Sequence, residues 1–154
     1  MVAELNDDFV DMLAALLRAR VEFVLVGAHA LAAHGLPRAT GDIDIFVRAS
    51  ATNAERIFAA LADFGAPIAA HGIAASDFAE LGNVYQIGLP PRRIDILTEI
   101  SGVTFDEAWA SKIEAEIASL RIPVIGREAL LRNKRASARD KDLVDVRELE
   151  RDSD

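Results

Sequence analysis

The chain has 154 residues, 51% of them hydrophobic and 27% charged, with a formal net charge of −8 and no cysteine. That length and balance fit one folded domain over 1–154 with a sizeable core and exclude a disordered chain. The missing cysteines exclude disulfides, thiolate metal sites and thiol nucleophiles, and the negative charge argues against an extended nucleic-acid footprint, which needs a basic face.

Leu5, Phe9, Met12, Leu13, Leu16 and Leu17 recur at helical spacing and predict an amphipathic helix over about 5–20, with Asn6 or Asp7 near its N-cap. Val21 to Val26 is a short β-rich run that breaks at Gly27. Residues 28–34 predict a short helix, stopped by Gly35 and Pro37. A strand follows over about 42–48. Thr52 and Glu55 have the spacing of a capping box and open a helix carrying Ile57, Phe58, Leu61 and Phe64, which ends at Gly65. Residues 66–82 show no clear period, with Ile73 and Phe78 as candidate anchors. Val84 to Leu89 and Arg93 to Leu97 predict a hairpin turning at Pro90-Pro91. Thr104 caps a short helix through Trp109, and Ile113, Ala115 and Ile117 alternate with charged residues as a half-exposed strand. Leu120 to Ile125 continues extended, with Pro123 suggesting a sheet edge. Two helices close the chain, over about 126–137 and 139–151. The expected class is α+β, a mixed sheet flanked by helices, with a core over about 21–100 and a C-terminal helical segment over about 126–151. No apolar run reaches the about 18 residues that a membrane helix needs, and the acidic opening from Val2 to Asp8 is unlike a signal peptide. The expected setting is cytoplasmic, with no membrane partner.

The informative stretch is Gly41-Asp42-Ile43-Asp44-Ile45-Phe46-Val47. As a strand it sends Asp42, Asp44 and Phe46 to one face and Ile43, Ile45 and Val47 to the other, which enters the core. The two acids then stand roughly 6–7 Å apart, twice the rise per residue. Like charges so close repel, and burial penalises each. A divalent ion removes the conflict, and oxygen ligands favour Mg²⁺ or Mn²⁺. Asp95 repeats the arrangement in Arg93-Ile94-Asp95-Ile96-Leu97. If the two strands are neighbours, three carboxylates converge on one sheet face, a set suited to two-metal phosphoryl transfer. Upstream, Gly27 ends a strand and opens a helix, where backbone N–H groups can cradle phosphate.

These residues, in this order, resemble the nucleotidyltransferase superfamily, whose best-known fold is that of DNA polymerase β. Its pattern is a strand, a Gly-Gly or Gly-Ser turn, a short helix, Asp-x-Asp on a strand, and a third acid on a later strand. Gly27-Ala28 matches the turn, Asp42 and Asp44 the pair, and Asp95 the third acid. Residues 24–44 look especially like small bacterial members: AbiEii-type toxins, minimal transferases of toxin–antitoxin operons, and aminoglycoside or lincosamide adenylyltransferases. Residues 133–145 resemble the C-terminal helices of the same members, so the likeness spans about 21–149. It implies transfer of a nucleoside monophosphate from a nucleoside triphosphate to a hydroxyl or phosphate acceptor, with release of pyrophosphate. Asp42 and Asp44 would hold both metals, and Asp95 would ligate the catalytic metal and help deprotonate the acceptor. Gly27 and Ala28 would cradle phosphates. Ala28 departs from the pattern, since it offers no hydroxyl and leaves the backbone alone to bind.

Arg38, Thr40, Lys134, Arg139 and Lys141 are further candidates for phosphate contact, because guanidinium and ammonium groups suit phosphate oxygens. Each has a plainer reading. Arg38 can be a surface arginine, the terminal cluster a solvated helix face with Lys141 paired to Asp145, and Asp95 an ion-pair partner of Arg92 or Arg93. His29 and His34 lie five apart and share no helix face well; packed or surface histidines are the expectation. Tyr85 and Trp109 could stack on a base or fill the core. The acceptor, whether small molecule, RNA or protein, is not written in the sequence. A chain this short is a candidate for closing its cleft with a second subunit, as a homodimer, or with a partner protein. The rival functions are a non-catalytic nucleotide-binding or interaction protein, one half of a toxin–antitoxin pair, and a metal-dependent nuclease.

Overall fold

The computed structural model describes residues 5–36 and 41–152, with side-chain surroundings through residue 151. Asn6 starts helix α1 (Asp7–Arg18): its side chain accepts the Phe9 N–H at 2.9 Å, with Asp7 and Asp8 in the first turn and Arg18 in the last, which complements the helix dipole. The apolar stripe buries Phe9, Met12, Leu13 and Leu16. Strand β1 (Phe23–Val26) is buried throughout, helix α2 (Gly27–Ala33) follows without a break, and β2 (Ile43–Val47) returns beside β1. Helix α3 (Ala51–Phe64) packs on α1. A 3₁₀ turn (Ala75–Ala79) buries Phe78. Strands β3 (Val84–Ile87) and β4 (Ile94–Leu97) form the expected hairpin. Helix α4 (Phe105–Ser111) has the capping box of Thr104 and Glu107. Strands β5 (Ile113–Ile117) and β6 (Leu120–Val124) and helices α5 (Arg127–Ser137) and α6 (Asp140–Asp152) complete the chain.

The six strands form one mixed sheet in the order β3-β4-β2-β1-β6-β5. Strand β2 runs antiparallel to β1 and parallel to β4, and that choice of neighbours decides the site. The buried apolar side chains form a single continuous cluster, with Phe23, Phe46, Met12 and Leu13 among its largest members. No helix among the described residues is long and apolar enough to cross a membrane.

Two sequence expectations need correction, and two further features were not anticipated. Helix α3 is capped by Ser50, whose hydroxyl accepts the Asn53 N–H at 3.2 Å, so Thr52 lies inside the helix. The reason is Asn53. It is buried, and its amide accepts from Glu22 N–H at 2.8 Å and donates to the carbonyls of Glu22 and Arg48 at 3.1 and 2.9 Å, tying the start of β1 to the end of β2. Pro123 is not on an edge; β6 lies between β1 and β5. It is accommodated because β1 pairs with β6 only at Leu25 and Val124, so no continuous ladder needs its N–H. The β5–β6 turn is Ala118-Ser119, both at positive φ, a hairpin geometry that these two residues do not signal. Finally, the acid-bearing face of β2 is open only at its start. Phe46, on that face, is 2% exposed, its ring edge-on to Phe105 of α4 at 5.2 Å.

Candidate active site

Val26, the last residue of β1, lies opposite Asp44 in the antiparallel pair. The next residue must therefore turn away directly over that carboxylate. Gly27 does so at φ +71, and a Cβ there would sit 2.5 Å from Asp44 Oδ2. Glycine is required twice, by the left-handed backbone and by the close approach. Across the other edge of β2, the parallel register puts Asp95 of β4 directly opposite Asp44. Asp42 precedes the strand and accepts the Arg93 N–H at 3.0 Å, while Ile43 donates to the Arg93 carbonyl at 3.0 Å. Ordinary strand pairing thus brings Asp42, Asp44 and Asp95 together beside Gly27. Ile43, Ile45, Ile94 and Ile96 alternate to the opposite face and are buried, which fixes the register.

Among the described residues, Arg93 stands between these acids. Arg93 forks onto Asp95, with Nε to Oδ1 at 2.7 Å and Nη2 to Oδ2 at 3.1 Å, and Nη2 also lies 3.3 Å from Asp42 Oδ2. Asp95 therefore has both of its sequence readings at once, member of the acid cluster and ion-pair partner. Asp44 is left with the worst position. Burial, a hydrogen bond shared with Asp95 and repulsion from Asp95 and Asp42 push its carboxyl up to about 7, against a partial pull downward from Arg93.

The acids, Gly27 and Ala28 form one wall of a cleft of about 480 Å³; Lys134, Arg139, Lys141 and Asp145 form another. The terminal helices do fold back over the site, but the positive wall is partly neutralised from behind. Lys134 is buried, with Nζ 3.3 Å from Asp142 and 3.2 Å from Asp145. Arg139 forks onto Asp142 at 2.7 and 3.3 Å. Burial opposes the charge of Asp142, but hydrogen bonds from Arg139 and Ser137 and the charge of Lys134 hold its carboxyl down at about 2. Lys141 is exposed at the cleft. Arg38 and Thr40 lie outside the described residues.

The histidines and lone aromatics follow their plainer readings. His34 Nε2 bonds the Ile125 carbonyl at 2.7 Å. His29 packs edge-on against Phe9, and burial lowers its pKa, with a backbone bond at Gly41 opposing. Tyr85 is buried against Phe78 and His71, and Trp109 stacks on Phe105 beneath Lys112. Two participants escaped sequence reasoning. The bridge from Arg93 to Asp42 spans two strands; its only signal was the shared strand face of Arg93 and Asp95. Asp145 turns to Lys134 of the neighbouring helix, which spacing along α6 cannot reveal.

No family model matches the chain, and no curated protein matches it by sequence. Solved structures match it in fold. The lincosamide antibiotic adenylyltransferase LnuA, solved with lincomycin, superposes with a TM-score of 0.59 at 16% identity, over 97% of this chain and 98% of that one. The antibiotic-resistance factor ANT(2'')-Ia, solved with adenylyl-2''-tobramycin, gives 0.60 at 16% identity, over 92% of this chain and 84% of its own. A candidate nucleotidyltransferase of Thermotoga maritima gives 0.59 at 16% identity, over 94% and 91%. The chain has the nucleotidyltransferase fold, near-complete in both directions.

Proposed function

We propose that this protein is a nucleotidyltransferase that moves a nucleoside monophosphate from a nucleoside triphosphate to a hydroxyl or phosphate acceptor and releases pyrophosphate. The observation that carries the proposal is the convergence of Asp42, Asp44 and Asp95 on neighbouring strand ends, with Gly27 pressed against Asp44, on a fold shared with adenylyltransferases. The donor set suits a hard divalent ion: all oxygens, mutually repelling, with one carboxyl that resists ionising while no such ion is present. Asp42, Asp44 and Asp95 would hold Mg²⁺ or Mn²⁺. Bound there, the ion would neutralise charge on the departing pyrophosphate and acidify the acceptor hydroxyl.

In this reading the chain's own groups position the rest. The N–H groups of Gly27 and Ala28, at the start of α2, cradle phosphate oxygens. Lys141 and Arg139 face those phosphates from the other wall, with Arg38 and Thr40 assigned to the same task from the sequence alone. Buried Lys134 holds α6 against α5 and keeps the wall in place. Asp95 would help deprotonate the acceptor. The two antibiotic-modifying neighbours put a small hydroxylated molecule first among acceptors to try, ahead of RNA or protein. A cytoplasmic setting and a homodimer or partner that closes the cleft belong to the same reading; one half of a toxin–antitoxin pair is a rival to it.

A second reading, nucleotide binding without turnover, is favoured by Arg93, which occupies two of the three acids, and by Ala28. The test is transfer of label from α-³²P nucleoside triphosphates with Mg²⁺ or Mn²⁺ to an aminoglycoside, a lincosamide, tRNA or the protein itself, alongside pyrophosphate release. The proposal expects release with one nucleotide, lost in Asp95→Asn. Tight nucleotide binding with no pyrophosphate from any acceptor would favour the second reading.

A further inference from the structure

Among the described residues no group of three acidic or histidine side chains is placed to hold a metal ion. Two of the three acids in the cleft are already engaged by a cation. The Arg93 guanidinium engages both oxygens of Asp95 and one of Asp42, and its backbone N–H takes the other Asp42 oxygen. A guanidinium fork occupies lone pairs on those oxygens and adds a positive charge that would repel a divalent ion closing on them at about 2.0–2.1 Å. Asp95 is 9% exposed at its side chain and Arg93 27%, so the pair is sheltered while the guanidinium still borders the cleft. Arg93 lines the same cleft as Gly27 and Ala28, where phosphates would lie, and its geometry matches phosphate as well as carboxylate.

We propose that Arg93 is a built-in counter-ion, holding the place of the divalent cation in the nucleotide-free protein. Cation and guanidinium exclude one another at Asp42 and Asp95. When the metal arrives with a triphosphate, Arg93 leaves the carboxylates and transfers its fork to the phosphate oxygens. The cation alone therefore binds weakly, cation and triphosphate bind with positive coupling, and that coupling runs through one side chain. This inference rests on the metal–nucleotide reading of the site and adds the order in which its charges are exchanged.

The experiment is a calorimetric titration of Mn²⁺ into the full chain, with and without inorganic tripolyphosphate, on wild type, Arg93→Met and Arg93→Lys. Removing the guanidinium should tighten Mn²⁺ alone by about tenfold or more and loosen tripolyphosphate binding in the presence of Mn²⁺, so the coupling falls toward one. Arg93→Lys, which keeps the charge and is the safer variant for folding, should move both quantities the same way by a smaller factor, because an ammonium cannot fork. Far-ultraviolet circular dichroism confirms that each variant is folded. If wild type binds Mn²⁺ with tripolyphosphate but neither variant binds Mn²⁺ alone more tightly, the role given to Arg93 is wrong and the metal–nucleotide reading stands. If no protein binds Mn²⁺ under either condition, that reading falls, and the counter-ion with it.

Discussion

Replacing Asp44 by Asn should stabilise the ligand-free protein, because it removes the charge the site tolerates least. The folded state holds this carboxyl at about 7, above its ordinary 3.8, so it favours the protonated form. Well below pH 3.8 the group is neutral whether folded or unfolded, and it costs the fold nothing. As pH rises toward 7 the unfolded chain ionises freely while the folded site resists, and stability is lost across that window. Each pH unit is worth about 1.4 kcal/mol, which sets an upper bound of about 4 kcal/mol above pH 7. Sharing of the proton with Asp95 and small side-chain movements bring the expected gain to about 2 kcal/mol. The amide keeps the size of the carboxyl and can donate to Asp95 as the protonated acid does. Urea unfolding in EDTA at pH 8, 6 and 4 reads the difference: a stabilised variant at pH 8, converging on wild type by pH 4. A variant that is no more stable at pH 8, or whose difference ignores pH, would refute the electrostatic account of the cluster.

Gly27→Ala should cost about 2 kcal/mol in urea denaturation, from the left-handed backbone and the displaced Asp44, and should abolish metal-dependent nucleotide binding; an unchanged midpoint would show that the turn relaxes freely. Asp142→Ala leaves Arg139 unpaired and Lys134 with Asp145 alone, and should lower stability by about 3 kcal/mol. A loss under about 1 kcal/mol would mean that the buried network contributes little. Lys141→Ala should raise the apparent nucleotide Kd several-fold, read by calorimetry, with no change in urea midpoint, and an unchanged Kd would return Lys141 to the solvated face.

Apolar periodicity, with cap and turn residues for the short helices, located the strands and α-helices, because alternations such as Ile43, Ile45, Val47 and Ile94, Ile96 are strong and local; the 3₁₀ turn at Ala75–Ala79 had no such signal. The acids were legible for the same reason: an Asp in a β-branched run contradicts its surroundings and asks for a partner. What the sequence could not supply was pairing. That β2 lies beside β4 was a condition in the sequence argument and is a fact of the register, Asp44 against Asp95. Local readings failed where a distant contact outweighed them. Thr52 and Glu55 had capping spacing, but buried Asn53 sets the helix start from β1 and β2. Pro123 resembled an edge residue, but β6 is an inner strand with a broken ladder. Lys134 does line the cleft as part of the basic wall, but its partners Asp142 and Asp145 on α6 were not legible from spacing.

The central claim is that the three acids bind a metal–nucleotide complex, and a thermal-shift panel tests it most directly. ATP, GTP, CTP and UTP would each be added with Mg²⁺, Mn²⁺ or EDTA to wild type and to Asp44→Asn. A ligand at about 100 times its Kd stabilises by about 2.7 kcal/mol, a rise of roughly 5–10 °C for a domain of this size. The account predicts that rise with at least one nucleotide, only in the presence of the metal, and its loss in Asp44→Asn even though the variant starts from a higher melting temperature at pH 8. A rise that persists in EDTA or in the variant would contradict the assignment of the acids, and no rise with any nucleotide would contradict the claim that this cleft is a nucleotide site.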